Sequence, residues 1–131
     1  MLTSGKMANQ QLIDTSAWIE YFRCDGDSSI REQVVESIRS RKAAFCDMVF
    51  LELMRGNRRQ REQATMVAET LPRISTDREC WKKAVDLAIR ASEAGKPVPN
   101  TDILIFACGK THCADIIHRD RHFDTLAALA D

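Results

Sequence analysis

Four acidic residues stand out by where they fall. Asp14 ends the short run Gln11–Asp14, Glu52 interrupts the apolar stretch DMVFLELM, Asp102 follows the rigid segment KPVPN, and Asp120 lies just past Ala114–His118. Carboxylates drawn into one pocket repel each other, and a divalent cation offsets that repulsion. Magnesium and manganese are the ions that take oxygen donors, usually a few from protein and the rest from water or substrate phosphate. Glu52 is the least ordinary of the four. A helix apolar on nearly every side is expected to be buried all round, so its one carboxylate needs an arginine, a proton or a cation. Asp102 falls in a first helical turn, where the helix dipole favours an anion even without a ligand.

These acids need elements to carry them. Gln11–Asp14 is expected as a short strand ending in its acid, followed by a helix through WIEYF, in which Trp18 and Phe22 lie four apart. Ser29 with Glu32 has capping-box spacing and predicts a helix with Ile30, Val34 and Ile38 on one face. Ala43–Cys46 is a second strand, and Asp47 is placed to cap a helix from Met48 to Arg55 that stops at Gly56. A polar helix is expected from about Asn57 to Leu71, broken by Pro72. Thr76 with Glu79 suggests another capping box, opening a helix with Trp81, Val85 and Ala88 as its buried stripe and Gly95 as its stop. Asn100 or Thr101 caps a helix to Thr111, Ala114–His118 is a third strand, and a last helix lies near Phe123–Leu129, with Phe123 packed under the sheet rim.

Short strands without alternation, separated by helices, predict a parallel sheet buried on both faces. The expected fold is α/β, a three-layer α/β/α sandwich with a short central parallel sheet. It occupies residues 10–131 as one domain, after a frayed tail at 1–9. Ligands of such sheets sit beyond the carboxyl ends of the strands. If the strands before Asp14 and Asp120 are parallel, both carboxylates meet at one rim.

Composition narrows the remaining classes. The 131 residues are 44% apolar and carry 19 basic against 19 acidic side chains, so no net field recruits polyanions or acidic membranes. No apolar run approaches the roughly 20 residues of a membrane span, and the first residues lack the apolar stretch of a secretory signal. A cytoplasmic protein with no membrane partner is expected. Arginine is concentrated in RGNRRQR (Arg55, Arg58, Arg59, Arg61), where the guanidinium forks suit phosphate, a solvated helix face or a protein partner. Cys24, Cys46, Cys80, Cys108 and Cys113 are odd in number and irregular in spacing, as expected of reduced, mostly buried thiols. A zinc site from Cys108, His112 and Cys113 is the alternative, and His122 is expected to be structural.

The segments LIDTSAWIEYFR, FLELMRG, and PNTDILIFAC followed by IIHRDRHF together resemble the PIN-domain nucleases, and most specifically the VapC toxins of bacterial toxin–antitoxin pairs. The likeness runs from about Leu12 to Leu129. It matches Asp14, Glu52, Asp102 and Asp120 to the family's catalytic, metal-holding acids, and Thr15 or Ser16 to a supporting hydroxyl. His118 departs from the small or hydroxyl residue that family members often carry before the Arg-Asp pair. The resemblance implies a Mg²⁺- or Mn²⁺-dependent endoribonuclease, typically homodimeric, neutralised by a small antitoxin. An antitoxin helix would lie between the helices that follow Ser28 and Asn57. Arg55, Arg58, Arg59, Arg119 and Arg121 are the candidates for RNA-backbone contacts. Three other readings remain: an RNA-processing nuclease without antitoxin, a catalytically silent module of this fold, and a metal phosphatase. The last lacks its second aspartate, since Ser16 stands two residues after Asp14.

Overall fold

The computed structural model describes residues 10–130. The tail expected at 1–9 lies outside the described residues. Strands β1 (Gln11–Ile13), β2 (Ala43–Cys46), β3 (Arg73–Ile74) and β4 (Asp115–Ile117) form one sheet in the order β3-β2-β1-β4. Every pairing is parallel, with Leu12 opposite Ala44 on one side and Ile116 on the other. Chain order reverses at β1, so the crevice beyond β1 and β4 is the switch point where parallel sheets take ligands.

Among the described residues, seven helices cover the sheet: α1 (Thr15–Phe22), α2 (Ser28–Arg39), α3 (Asp47–Met54), α4 (Arg58–Ala68), α5 (Arg78–Glu93), α6 (Asn100–Thr111) and α7 (His122–Ala130). Helices α1 and α2 pack together, while α5, α6 and α7 form a second group. The core runs between them. Trp18 stacks on Phe45 with ring centroids 4.8 Å apart, and both are fully buried. Each such burial contributes on the order of 2–3 kcal/mol. Phe123 is buried as the sequence predicts, and α6 is buried from Asp102 through Gly109.

Several local expectations are corrected. Strand β3 has no counterpart in the sequence pattern. Two residues are too few to show a period, and the strand exists because Pro72 and Arg73 run alongside Phe45, whose N–H donates to the Pro72 carbonyl. The same detour ends α4 at Ala68 rather than Leu71. Helix α2 is capped by Asp27, whose Oδ1 accepts from Ile30 N, not by Ser29. Gly26 sets that start: a Cβ there would lie 1.9 Å from the Glu20 carbonyl oxygen. Asp77, not Thr76, caps α5 by accepting from Cys80 N. Because β2 runs straight into α3, Cys46 takes the cap position and Asp47 is free to pair with Arg73 at 2.7 Å. Pro99 precedes α6 with no side-chain cap, in place of Asn100 or Thr101.

The buried stripe of α5 is also displaced. Cys80, Ala84, Leu87 and Ala91 face inward, whereas Trp81 and Val85 are 53% and 58% exposed. Small residues let α5 lie close against α6, and the bulkier stripe, which hydrophobicity alone favours, is turned outward. Gly95 ends α5 at a φ of 67°, as a helix stop requires.

Candidate active site

Asp14 follows the last residue of β1 and caps α1. Its N–H donates to the Ile117 carbonyl at 2.9 Å, so the aspartate is locked beside the end of β4. Its Oδ2 accepts from Ser16 N at 3.0 Å and Ser16 Oγ at 2.5 Å. The Ser16 hydroxyl in turn accepts from Arg119 N at 2.9 Å, tying the segment after β4 to the head of α1. Asp14 Oδ1 is buried and has no hydrogen-bond partner among the described residues. An ionised oxygen left bare in this way is costly unless a cation or proton meets it.

Glu52 departs from its expectation. Helix α3 is not buried all round, since Leu51 is 56% exposed and Glu52 is half-buried. Its partner is not an arginine but the hydroxyl of Thr15, whose Oγ1 donates to Glu52 Oε1 at 2.6 Å. Both hydroxyls singled out by sequence therefore hold an acid: Ser16 holds Asp14, and Thr15 holds Glu52.

Asp102 lies in the first turn of α6 and Asp120 just before α7, joined by a residue whose sequence context suggests only a structural role. His122 Nδ1 lies 3.0 Å from Asp102 Oδ2 and 3.0 Å from Asp120 Oδ1. With two carboxylate oxygens as acceptors, that nitrogen carries the proton. One ligand atom from each of the three residues falls within 4.8 Å of the others, so Asp102 and Asp120 lie close enough to share an ion while the imidazole steadies them. Asp120 Oδ1 also accepts from His122 N at 2.9 Å, which turns its carboxylate toward the imidazole. The only signal of this in the sequence is a histidine two residues after an acid, and it is weak by itself. His118 packs against Phe123 and accepts from Asp120 N.

Charge couples the four acids. Burial, opposed by the Ser16 hydrogen bonds, pushes the Asp14 carboxyl above the usual range, and the Glu52 charge adds to it. Burial, then the charges of Asp120 and Asp14, push Asp102 to about 6, against the pull of His122. Acids from β1, α3, α6 and the approach to α7 thus feel one another across the switch point. The donor set fits a divalent ion: oxygen ligands, mutual repulsion, and one bare buried oxygen.

The arginines are spread more widely. Arg55, Arg58, Arg59 and Arg121 are exposed, and Arg58 pairs with Glu62 at 3.5 Å. Arg119 reaches across the rim to Glu20 at 3.1 Å and Asp27 at 3.8 Å, so its guanidinium is partly engaged within the chain. Arg59 lines a cleft of about 330 Å³ between the end of α1 and α4, with Phe22 and Gln63. Helix α2 lines a separate cleft with Arg31 and Val35. At the Arg59 cleft α4 faces the end of α1 and the turn that follows it.

Residues 12–129 match the family model described as PIN domain. Ribonuclease VapC11 of Mycobacterium tuberculosis and VapC ribonuclease Mb1587 of Mycobacterium bovis are each 31% identical over 125 residues, covering 92% of this chain and 93% of the relative. The fold is similar to VapBC from Salmonella typhimurium in its DNA-bound crystal structure, with a TM-score of 0.71, 15% identity, and 89% and 91% of the two chains covered. VapC20 of Mycobacterium tuberculosis, a sarcin-ricin-loop-cleaving toxin, is similar with a TM-score of 0.68, 18% identity, and 88% and 94% covered. With its parallel sheet, its acids gathered beyond β1 and β4, and relatives that align along nearly its whole length, this chain belongs to the PIN-domain family and, within it, to the VapC ribonucleases.

Proposed function

We propose that this chain is a Mg²⁺- or Mn²⁺-dependent endoribonuclease of the toxin type, whose activity a small antitoxin protein holds in check. The observation that carries the reading is Asp14 Oδ1: a buried carboxylate oxygen without a hydrogen-bond partner among the described residues, in electrostatic contact with Glu52 and Asp102. Asp14, Glu52, Asp102 and Asp120 would hold the ion, directly or through water. When bound, a divalent ion supplies charge stabilisation at phosphorus and an activated water near neutral pH.

The chain's own residues do the rest. Ser16 and Thr15 fix the orientations of Asp14 and Glu52 through hydrogen bonds of 2.5 and 2.6 Å, so neither carboxylate must reorganise as charge develops. His122 bridges Asp102 and Asp120, and its Nδ1 proton holds two like charges side by side. An acidic centre repels phosphate, so a basic rim is needed. Arg55, Arg58, Arg59, Arg119 and Arg121 are assigned to it, with single-stranded or looped RNA as the substrate.

A homodimer and an antitoxin complex complete this reading, in the cytoplasm. No helix among the described residues is long and apolar enough to cross a membrane. Trp81, Val85 and Ile89 stand exposed four residues apart along α5, an apolar face suited to a partner chain.

Purified protein incubated with RNA tests the proposal. Cleavage that appears with Mg²⁺ or Mn²⁺, disappears in chelator and is lost in Asp14→Asn supports it. Metal-independent cleavage, or undiminished activity in the variant, overturns it. A protein inert toward all RNA in its dimeric, metal-loaded form is the silent module instead. Suppression by the product of an adjacent small gene separates a toxin from an RNA-processing nuclease.

A further inference from the structure

A second group of ligating side chains involves the far end of α6. Cys80, Cys108 and His112 place one sulfur or nitrogen each within 4.8 Å of one another. Cys108 and His112 are four residues apart at the end of α6, hence on one face, and Cys80 stands in the first turn of α5. Both cysteines are fully buried, while the His112 side chain keeps 29% of its exposure. The cluster therefore has an open side at the imidazole.

The three side chains converge on one point. Cys80 Sγ, Cys108 Sγ and His112 Nε2 lie 3.4, 3.6 and 2.8 Å from the Ser75 carbonyl oxygen. Cys108 also meets the thiols of Cys46 and Cys80, so the thiol protons are shared among several weak acceptors. A metal ion would replace those protons and bind the same atoms directly. Two thiolates also neutralise a divalent charge, which removes the main cost of placing an ion in a buried setting. Asp77 Oδ2 lies 3.4 Å from His112 Nε2 on the exposed side, where a fourth ligand is needed. Its other oxygen caps Cys80 N.

We propose that Cys80, Cys108 and His112 bind a zinc-like soft divalent ion, with Asp77 or water in the fourth position, clamping the start of α5 to the end of α6. The sequence-based alternative of Cys108, His112 and Cys113 is thereby revised: Cys113 is exposed and takes a left-handed φ of 56° just past α6, while Cys80, from another helix, takes its place. The ion is distinct in kind from the one assigned to the carboxylates. Sulfur and imidazole select zinc over magnesium, and four ligands close a tetrahedral, structural site. This inference does not rest on the nuclease reading.

Cobalt reports the site. Titrating the reduced, full-length chain with Co²⁺ is expected to give thiolate-to-cobalt absorption in the near ultraviolet, saturating at one ion per chain and displaced by Zn²⁺. His112→Ala, at a partly exposed position that leaves the buried thiols in place, should weaken binding by at least about tenfold. Asp14→Asn and Cys113→Ser should leave the band intact. Absence of the band overturns the proposal. So does a band unchanged in His112→Ala but lost in the double variant Cys24→Ser/Cys113→Ser, which would place the ion on the exposed thiols. Circular dichroism of His112→Ala separates ligand loss from unfolding.

Discussion

Helix α6 carries two different kinds of donor at its two ends. Its first turn offers the Asp102 carboxylate, beside Asp120 and Asp14; its far end offers Cys108 and His112, beside Cys80. The carboxylate end is crowded with like charge and held open by hydrogen bonds from Ser16, Thr15 and His122. The thiol end is compact, with Asp77 as its single carboxylate among the described residues. Hard oxygen donors around repelling charges suit an ion that keeps water and substrate in its shell; soft donors that can be neutralised in place suit an ion that is enclosed. One buried helix can thus serve a reactive centre and a fastening point, because donor chemistry, not position in the fold, selects the ion.

The sharpest break in this comparison comes from Asp14. Asp14→Asn removes the bare buried charge and should lower RNA cleavage by several kcal/mol of transition-state stabilisation, about a thousandfold or more, in single-turnover assays. Circular dichroism and the cobalt band should stay as in the parent protein. Loss of both the activity and the band would show that the two ends are one coupled site.

Asp102 carries the next largest effect. Its carboxyl is pushed up to about 6 in the folded chain, from an ordinary value of 3.8. Between those values the folded state holds more proton than the unfolded state, so the stability of the metal-free protein should fall as pH rises from about 4 to 6. At pH 7 the penalty is at most about 3 kcal/mol. Asp102→Asn should therefore raise the Tm of metal-free protein at pH 7, flatten that pH dependence, and weaken Mg²⁺ binding. A variant with the parent's pH profile would mean that Asp102 is not the strained carboxyl.

Ser16→Ala tests how tightly the acid is held. It removes the donor to Asp14 Oδ2 and the acceptor for Arg119 N, at a cost of about 2 kcal/mol in urea unfolding. Activity should fall further than stability accounts for, since the remaining protein has a mobile Asp14. The smallest effect is expected at the rim. Replacing Arg58 and Arg59 with alanine should make the log–log salt slope of RNA binding shallower by about 0.7 per phosphate that is no longer neutralised. An unchanged slope would move the RNA path to Arg119 and Arg121.

Much of this is legible in the residues. Asp14 and Asp120 can be assigned to one rim because parallel strands end on the same side, and β1 and β4 do pair in parallel. The helices emerge from their periods and stops, Gly95 and Pro72 among them. The caps are less legible: Asp27 and Asp77 each stand near an equally plausible serine or threonine, and only the approach of the preceding turn chooses between them. The stripe of α5 is ambiguous because two faces share the same period, and side-chain volume against α6 decides in favour of the small one. His122 gives little sign of its role because that role depends on Asp102, twenty residues earlier.

The sequence by itself determined which residues carry charge and where strands and helices alternate, since these follow from side-chain chemistry and local periodicity. It also determined that one acid follows β1 and another follows β4. The tertiary structure alone decided which hydroxyl holds which acid, that one imidazole bridges two carboxylates, and that Cys80 rather than Cys113 completes the thiol group. Such contacts form between side chains from different elements, and their distances are set by how closely the helices pack, a quantity that no local stretch of chain encodes.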